Sequence, residues 1–282
     1  MKSMIKFLVF LAFFVGAEQT FAQSDSRFNI ATFNLRMDTP KDSLNAWPNR
    51  KEFVKNLMMF HDFDLVGTQE AFIHQIKGVL ELPGYAYVGV GRDDGKSQGE
   101  HSAIFYKTER FQLLDTGNFW LSETPELPGK GWDATCCNRI ATWAKFLDLK
   151  TKKQFYVFNA HFDHQGKIAR RESAKLMISK ISTIAKNAPV FLVGDFNSTP
   201  DAEPIAILKS AYQDSYDITK LPPYGPVGTA NSFKLNAPLE NRIDYIFIKG
   251  NIEVKKYGAL TDFKNQRFPS DHLPVMAEVE IK

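Results

Sequence analysis

Cysteine is scarce in this sequence, which has only Cys136 and Cys137 among its 282 residues. Because the two are neighbours, they cannot link distant segments, and a disulfide framework is excluded. A bond between the neighbours themselves would be strained. We therefore expect two packed or half-buried thiols, with a redox switch as the alternative.

The sequence also lacks a strong charge excess and a long apolar run. Its formal net charge is +3, which does not by itself indicate binding to nucleic acid or to an anionic membrane. The apolar run Phe7–Val15 is shorter than the roughly 20 residues of a bilayer-spanning helix, and no later stretch is long and apolar enough. With 44% hydrophobic and 24% charged residues, the composition is that of a globular protein. We expect no transmembrane segment, and a monomer.

Residues 1–22 have the pattern of a secretory signal. Lys2 and Lys6 flank the start of the apolar run, and the small residue Ala22 precedes Gln23. A buried N-terminal strand is the alternative. We predict a signal peptide over residues 1–22, one domain over residues 23–282, and export to the periplasm, the cell envelope or the medium.

Strand-like runs outnumber helical segments by about two to one, which disfavours a strictly alternating parallel fold. Helical periodicity is confined to four segments: Asn49–Phe60, Phe72–Leu80, Ile168–Lys186 and Glu203–Lys209. The runs with strand composition are Phe28–Phe33, Asp64–Thr68, Tyr85–Val90, Ser102–Tyr106, Phe111–Leu114, Thr142–Asp148, Phe155–Asn159, Val190–Val193, Tyr245–Ile248 and Val275–Ile281. This pattern favours two packed sheets flanked by helices.

Polar and ionisable residues follow several of these runs directly. Asn34, Glu70, His161 and Asp195 each stand where a predicted strand gives way to a loop, which is where α/β proteins build their sites. A serine hydrolase has little support, because Ser270, the serine beside Asp271 and His272, does not stand in a nucleophile elbow.

Three short segments admit both a functional and a structural interpretation. Asp195 and Asn197 are two residues apart, so they face one side of an extended chain and suit a divalent cation and a phosphoryl oxygen; an Asx turn before Pro200 is the alternative. The segment from His161 to His164 is a metal site, a base with its partner, or a helix cap involving Asp163. The pair Asp271 and His272 is a dyad or a polar turn.

Taken in order, these motifs resemble the endonuclease/exonuclease/phosphatase superfamily. They are Ala-Thr-Phe-Asn34-Leu-Arg, Val-Gly-Thr-Gln-Glu70, Asn-Ala-His161, Gly-Asp195-Phe-Asn197, Arg-Ile-Asp244-Tyr-Ile-Phe and Ser-Asp271-His272-Leu-Pro. The segment Gly91–Tyr106 further resembles the branch of carbon-catabolite-repressor-type deadenylases and their exported bacterial relatives. The resemblance implies an α/β fold, a four-layer αββα sandwich of two mixed sheets, and hydrolysis of a phosphoester with Mg²⁺ or Mn²⁺.

The resemblance also implies a role for each matched residue. Glu70 is expected to be the main metal ligand, with Asn34 and Asp271 beside it. Asp195 would orient or deprotonate the attacking water, and Asn197 would hold a phosphoryl oxygen. His272 would act as general base or stabilise the phosphorane, and His161 would contact the phosphate from the other side. Asp244 would pair with His272 or a metal, and Glu100 with His161.

The substrate is less sharply defined by the sequence. Arg36, Tyr106, Arg139 and His164 are candidates for substrate contacts, since arginine matches phosphate and aromatic rings stack on bases; a structural role is the alternative for each. We expect a phosphodiester, with nucleic acid or a nucleotide favoured. The alternatives are a phospholipid or inositol-phosphate substrate and, less favoured, a catalytically silent binding module.

Overall fold

The computed structural model describes residues 26–282, so the predicted signal peptide lies outside the described residues. None of the helices in this part is long and apolar enough to cross a membrane. The strands are β1 (Arg27–Asn34), β2 (Leu65–Gln69), β3 (Tyr85–Val88), β4 (Ile104–Lys107), β5 (Phe111–Trp120), β6 (Ile140–Asp148), β7 (Gln154–His161), β8 (Val190–Asp195), β9 (Gln213–Asp214), β10 (Asp244–Lys249), β11 (Ile252–Ala259) and β12 (Val275–Ile281). The helices are α1 (Trp47–Phe60), α2 (Ile73–Val79), α3 (Lys167–Ala185), α4 (Glu203–Lys209) and α5 (Ser215–Ile218), with a 3-10 helix at Pro40–Asn45.

The strands form two six-stranded mixed sheets that pack face to face. The first has the order β11-β12-β1-β2-β4-β3 and the second the order β5-β6-β7-β8-β10-β9. Strands β1 and β2 are parallel, as are β7 and β8, whereas β10 runs antiparallel to β8. The predicted fold class, an αββα sandwich of two mixed sheets, is confirmed.

Hydrophobic side chains fill three layers between these elements. The layer between the sheets includes Phe28, Phe155 and Phe191. Helices α1 and α2 cover the outer face of the first sheet, and α3 and α4 cover that of the second. Strand β8 is buried along its whole length, which explains its unbroken apolar sequence, because a strand covered on both faces has no polar face.

The two sheets approach each other closely just below one edge. A Cβ atom on Gly67 in β2 would lie 2.4 Å from Val193 and 2.8 Å from the Asn159 side chain, so only glycine fits there. Asn159 on β7 donates to the carbonyl oxygens of Thr68 and Ala103 at 2.9 and 2.8 Å, and accepts from Gln69 Nε2 at 2.7 Å. These buried hydrogen bonds fix the position of one sheet against the other.

Two sequence-based expectations are corrected by the fold. Tyr106, a candidate substrate contact, points into the layer between the sheets and packs on Phe146 with ring centroids 4.9 Å apart. Side chains alternate along a strand, and the inward position at Tyr106 is apolar. Cys136 and Cys137, expected to be two thiols, are joined in a disulfide.

Candidate active site

The ends of five strands, β1, β2, β7, β8 and β10, bring the polar residues of the sequence motifs together at one edge of the sandwich. Because β7 and β8 are parallel and in register, His161 at the end of β7 pairs with Asp195 at the end of β8. The antiparallel β10 places Asp244, its first residue, opposite Asp195. Glu70 follows β2, with a φ of 65°, and Asn197 has a φ of 46°. Left-handed backbone at residues other than glycine is costly, and it is concentrated at functional sites.

Asn34 holds two carboxylates side by side. Its amide Nδ2 donates to Glu70 Oε1 and to Asp195 Oδ2, each at 3.0 Å. The backbone N–H of Met37 donates to the other Glu70 oxygen at 3.1 Å. Burial raises the pKa of the Glu70 carboxyl, but the Asn34 hydrogen bond and the nearby His272 hold it below its ordinary value. Glu70 is therefore an anion, as a metal ligand must be.

His272 lies between two carboxylates. Its Nδ1 is 2.9 Å from Asp244 Oδ2, and its Nε2 is 3.9 Å from Asp195 Oδ2. Thr229 Oγ1 donates to the same Asp244 oxygen at 2.5 Å. Although burial opposes it, the charge of Asp244 and then of Asp195 holds the pKa of His272 well above its usual range. The ring is thus an imidazolium that donates from Nδ1.

His161 has the opposite environment. Its Nε2 lies 3.5 Å from Asp195 Oδ2 and 3.1 Å from Asn197 Nδ2, an amide that also donates to the Phe162 carbonyl. Burial, followed by the positive charges of Arg139 and Arg92, holds the pKa of His161 well below its usual range. The ring is neutral, and the amide contact at Nε2 assigns its proton to Nδ1. Glu100, its predicted partner, lies 4.0 Å away and instead binds Arg92 at 2.5 Å.

A cavity of about 410 Å³ opens above these groups. The predicted residues that line it are Arg36, Glu70, Glu100, Arg139, His161, His164, Asp195, Asn197 and His272. Arg139 is 4% exposed and donates to His164 Nδ1 at 2.8 Å. Two cavities of about 490 Å³ are larger; one lies elsewhere on the molecule and the other adjoins the site at Asn197. The site is therefore identified by the convergence of ionisable groups and not by volume.

Three predicted residues lie behind or beside the cavity, and several lining residues were missed. Asn34 hydrogen-bonds to Glu70 and Asp195, and Asp244 hydrogen-bonds to His272. Asp271 lies 3.8 Å from the Arg36 guanidinium. Asp163 accepts from the backbone of Gln165 and Gly166, and the N-terminus of α3 is capped instead by Asp133.

The missed lining residues are Met37, Arg92, Cys136 and Cys137. Arg92 had a signal, since it lies in the quoted Gly91–Tyr106 segment with Glu100.

The donor set fits a hard divalent cation. Among residues 26–282, Glu70, His161 and Asp195 bring three ligand atoms within 4.8 Å of one another. Asp195, Asp244 and His272 are equally close, but the His272 imidazolium has no free lone pair for a metal. Burial, followed by the negative charge of Asp244, raises the pKa of Asp195 to about 7. Asp244 Oδ1 is buried and has no hydrogen-bond partner among the described residues. Crowded carboxylates of this kind are stabilised by a cation, and oxygen ligands suit Mg²⁺ and Mn²⁺.

Comparisons with solved structures show close similarity to two proteins of Bacteroides thetaiotaomicron. A mannosyl-6-phosphatase from Bacteroides thetaiotaomicron is 44% identical, with a TM-score of 0.85 over 89% of this chain and 99% of that one. An endonuclease/exonuclease/phosphatase family protein from the same organism is 43% identical, with a TM-score of 0.87 over 91% of this chain and 95% of that one.

A curated relative is more distant. The CCR4-Not complex 3'-5'-exoribonuclease subunit Ccr4 of Kluyveromyces lactis is 22% identical over 89% of this chain, which spans only 39% of that protein. The model of the Endonuclease/Exonuclease/phosphatase family matches residues 31–272, which run from β1 to His272 and contain every residue of the site. The predicted resemblance is confirmed, and this chain belongs to the endonuclease/exonuclease/phosphatase family.

Proposed function

We propose that this protein is an exported phosphomonoesterase that uses Mg²⁺ or Mn²⁺ and acts on a phosphorylated sugar. The observation that carries the proposal is the lining of the cavity, which joins carboxylates, histidines and three arginines. Of the described residues that line it, none is Phe, Tyr or Trp. A sugar phosphate needs charge and hydrogen bonds, whereas nucleic-acid sites add aromatic rings on which bases stack. The 44% identical mannosyl-6-phosphatase supports the same class.

The residues around Asp195 would hold the cation and prepare water. Glu70 and Asp195 would bind the metal, with Asn34 fixing both carboxylates and Asp271 close by. A bound Mg²⁺ or Mn²⁺ supplies positive charge that offsets the phosphate and favours ionisation of water. Asp195, held by the Asn197 backbone N–H at 2.9 Å, orients the water and accepts its proton.

The two histidines would serve different steps because their surroundings give them different charges. The His272 imidazolium, oriented by Asp244, stabilises the negative charge that develops on the phosphoryl oxygens. The neutral His161 and the Asn197 amide lie on the other side and position the phosphate. Arg139 and Arg36 add positive charge at the wall, which suits the dianion of a monoester.

The substrates favoured by the sequence receive less support than a sugar phosphate. The nucleic-acid prediction agrees with the Ccr4 relatives, but these are 22–24% identical and much longer than this chain. A phospholipid would need an exposed apolar surface near the cavity. The residues Phe119–Leu121 are buried, and the exposed Leu221 and Tyr224 do not line the cavity.

Export rests on the sequence of residues 1–22 and has independent support from the cysteines. Disulfides persist in oxidising compartments and are rare in the cytosol, and this chain contains a bond between Cys136 and Cys137. The N-terminal residue of the protein recovered from its own cells tests this part directly. An intact residue 1 in the cytosolic fraction would contradict export.

A substrate panel tests the proposed class. The chain beginning at residue 23 is assayed with Mg²⁺ on mannose 6-phosphate, bis(p-nitrophenyl) phosphate, polyadenylate and a phosphatidylinositol phosphate. We expect kcat/KM to be highest for mannose 6-phosphate and turnover to stop with chelator or in Asp195→Ala. A higher kcat/KM for polyadenylate than for mannose 6-phosphate would support the nuclease prediction and contradict the proposal.

A further inference from the structure

The adjacent cysteines are the one sequence feature that the proposed chemistry leaves unused, yet both line the catalytic cavity. They lie in the long connection between β5 and β6, where Cys136 is exposed and Cys137 half-buried. Loops positioned by a rigid scaffold commonly supply binding residues, so the place of the two cysteines in this lining points to a role in the site.

The segment that carries the disulfide is anchored on both sides. Before it, Asp133 accepts from the backbone N–H groups of Ile168 and Ala169 at 3.1 and 2.7 Å, and so holds the start of α3. After it, Asn138 donates to the Arg92 carbonyl at 3.4 Å, and Arg139 reaches His164. The sulfurs are thus fixed relative to the site.

The bond between the neighbours also determines which way they point. Adjacent side chains of an extended segment face opposite sides, whereas a bond between them brings both sulfurs to one side. Sulfur is polarisable and a weak hydrogen-bonding partner. Apart from the two cysteines and Met37, the lining residues carry charged or strongly polar groups, so the sulfur pair is one of the few apolar side-chain surfaces that the cavity offers.

We propose that the Cys136–Cys137 disulfide is the wall that selects the substrate's leaving group, by packing against the carbon face of its sugar ring. The inference rests on the proposed function, since it concerns the alcohol part of the same phosphoester. The phosphate occupies the charged floor beside His272 and Arg139. A sugar ring has polar edges and an apolar C–H face, and the disulfide is the surface that matches that face.

Protection from reduction tests this contact without relying on turnover. Dithiothreitol reduces the disulfide to two thiols and is itself oxidised to a cyclic disulfide. The chain has no other cysteine, so maleimide labelling followed by mass measurement reports only this bond. The experiment uses His272→Ala with Mg²⁺, in which the substrate stays intact, and compares mannose 6-phosphate with methyl phosphate. Thermal shifts establish that each ligand is bound.

We expect mannose 6-phosphate to slow reduction by about tenfold or more, because a ring packed on the sulfurs excludes the thiol. Methyl phosphate, which has no ring, should slow it much less. In steady-state assays of the otherwise wild-type protein, Cys136→Ser/Cys137→Ser should lower the ratio of kcat/KM for mannose 6-phosphate to that for methyl phosphate about tenfold, a usual loss for apolar contacts in a pocket.

The outcomes separate the inference from the function on which it rests. If mannose 6-phosphate binds and turns over but gives equal reduction rates and an unchanged kcat/KM ratio, the inference is overturned and the function stands. If the folded, unreduced protein labels with maleimide at both cysteines, the wall as described does not exist. If mannose 6-phosphate neither binds nor reacts, the proposed function fails, and the inference fails with it.

Discussion

Asp244 Oδ2 lies 2.9 Å from Nδ1 of His272, and both side chains are at least nine-tenths buried. A carboxylate in this position fixes the tautomer of the ring and directs Nε2 towards the cavity, where Asp195 lies 3.9 Å away. The pair is held from behind by Thr229, which donates to the same carboxylate oxygen. The relationship makes His272 a cation at the edge of the cavity, where the proposed hydrolysis would develop negative charge on the phosphoryl oxygens.

Asp244→Asn should therefore lower kcat by about 100-fold with a small change in KM, because it removes the charge that keeps His272 protonated. His61→Gln is a matched control, since His61 makes a 2.9 Å contact with Asp262 but does not line the cavity. If steady-state kinetics showed equal losses of kcat in the two variants, the Asp244–His272 pair would contribute to stability and not to the reaction.

Metal binding should stabilise the protein more at high pH than at low pH. Burial, followed by the Asp244 charge, raises the pKa of Asp195 to about 7, so without metal the folded state keeps a proton that the unfolded chain releases above about pH 4. The contribution of Asp195 to the free energy of unfolding is therefore largest below about pH 4 and is lost as the pH rises from about 4 to 7. Because Mg²⁺ competes with that proton, the stabilisation of the protein by Mg²⁺ should increase from about pH 4 to about pH 7.

The melting temperature with Mg²⁺ or with chelator, at about pH 5.5 and about pH 8, checks this linkage. Asp195→Asn has no such proton and should show a smaller, pH-independent response. A wild-type response to Mg²⁺ that is equal at both pH values would contradict the assignment of Asp195 as a ligand.

Arg139→Gln should raise KM for mannose 6-phosphate by about tenfold and lower kcat less, since a charge-assisted hydrogen bond to phosphate is lost. The comparison is Arg171→Gln, which removes an exposed ion pair with Glu172 on α3 and should leave KM unchanged. Circular dichroism must show that both variants are folded. An unaltered KM in Arg139→Gln would mean that the phosphate of the substrate does not contact Arg139.

Gly67→Ala should destabilise the fold by about 1–3 kcal/mol, because its methyl group would collide with Val193 and Asn159 where the sheets meet. Gly129→Ala meets nothing closer than 3.8 Å and should be close to neutral. Urea denaturation of the two variants measures the difference. Equal midpoints would mean that the sheets are not held as closely as described.

Much of the fold could be predicted from local patterns, and the failures have physical causes. The helix Glu203–Lys209 and the strand Val275–Ile281 were predicted with their observed limits. The strand alternates buried and half-buried residues, and the helix begins with Glu203-Pro204 and ends with Lys209, which are typical of first and last turns. Strand β11 was missed because three of its eight residues are Glu253, Lys255 and Lys256, which are typical of exposed edge strands and weaken the strand signal. Strand β5 was predicted to end at Leu114 but continues to Trp120. The prediction ended too early because the middle of the strand is exposed and polar.

The candidate site was predicted as a set, but not the partner of each side chain. Motif order placed Glu70, Asp195 and His272 together, whereas Tyr106 was misassigned, since only the register of β4 shows that its side chain faces the core. The disulfide was missed for a related reason. Adjacent cysteines have a low intrinsic tendency to pair, and the anchored segment that brings both sulfurs to one face is not visible in sequence.

The central claim is that these strand ends form a metal-dependent phosphoester hydrolase, and phosphate release from mannose 6-phosphate tests it most directly. The wild-type chain is measured with Mg²⁺ and with chelator, beside Asp195→Asn and His61→Gln. The account predicts release that requires the metal, is lost in Asp195→Asn and persists in His61→Gln. Release that survives both chelator and Asp195→Asn would contradict it.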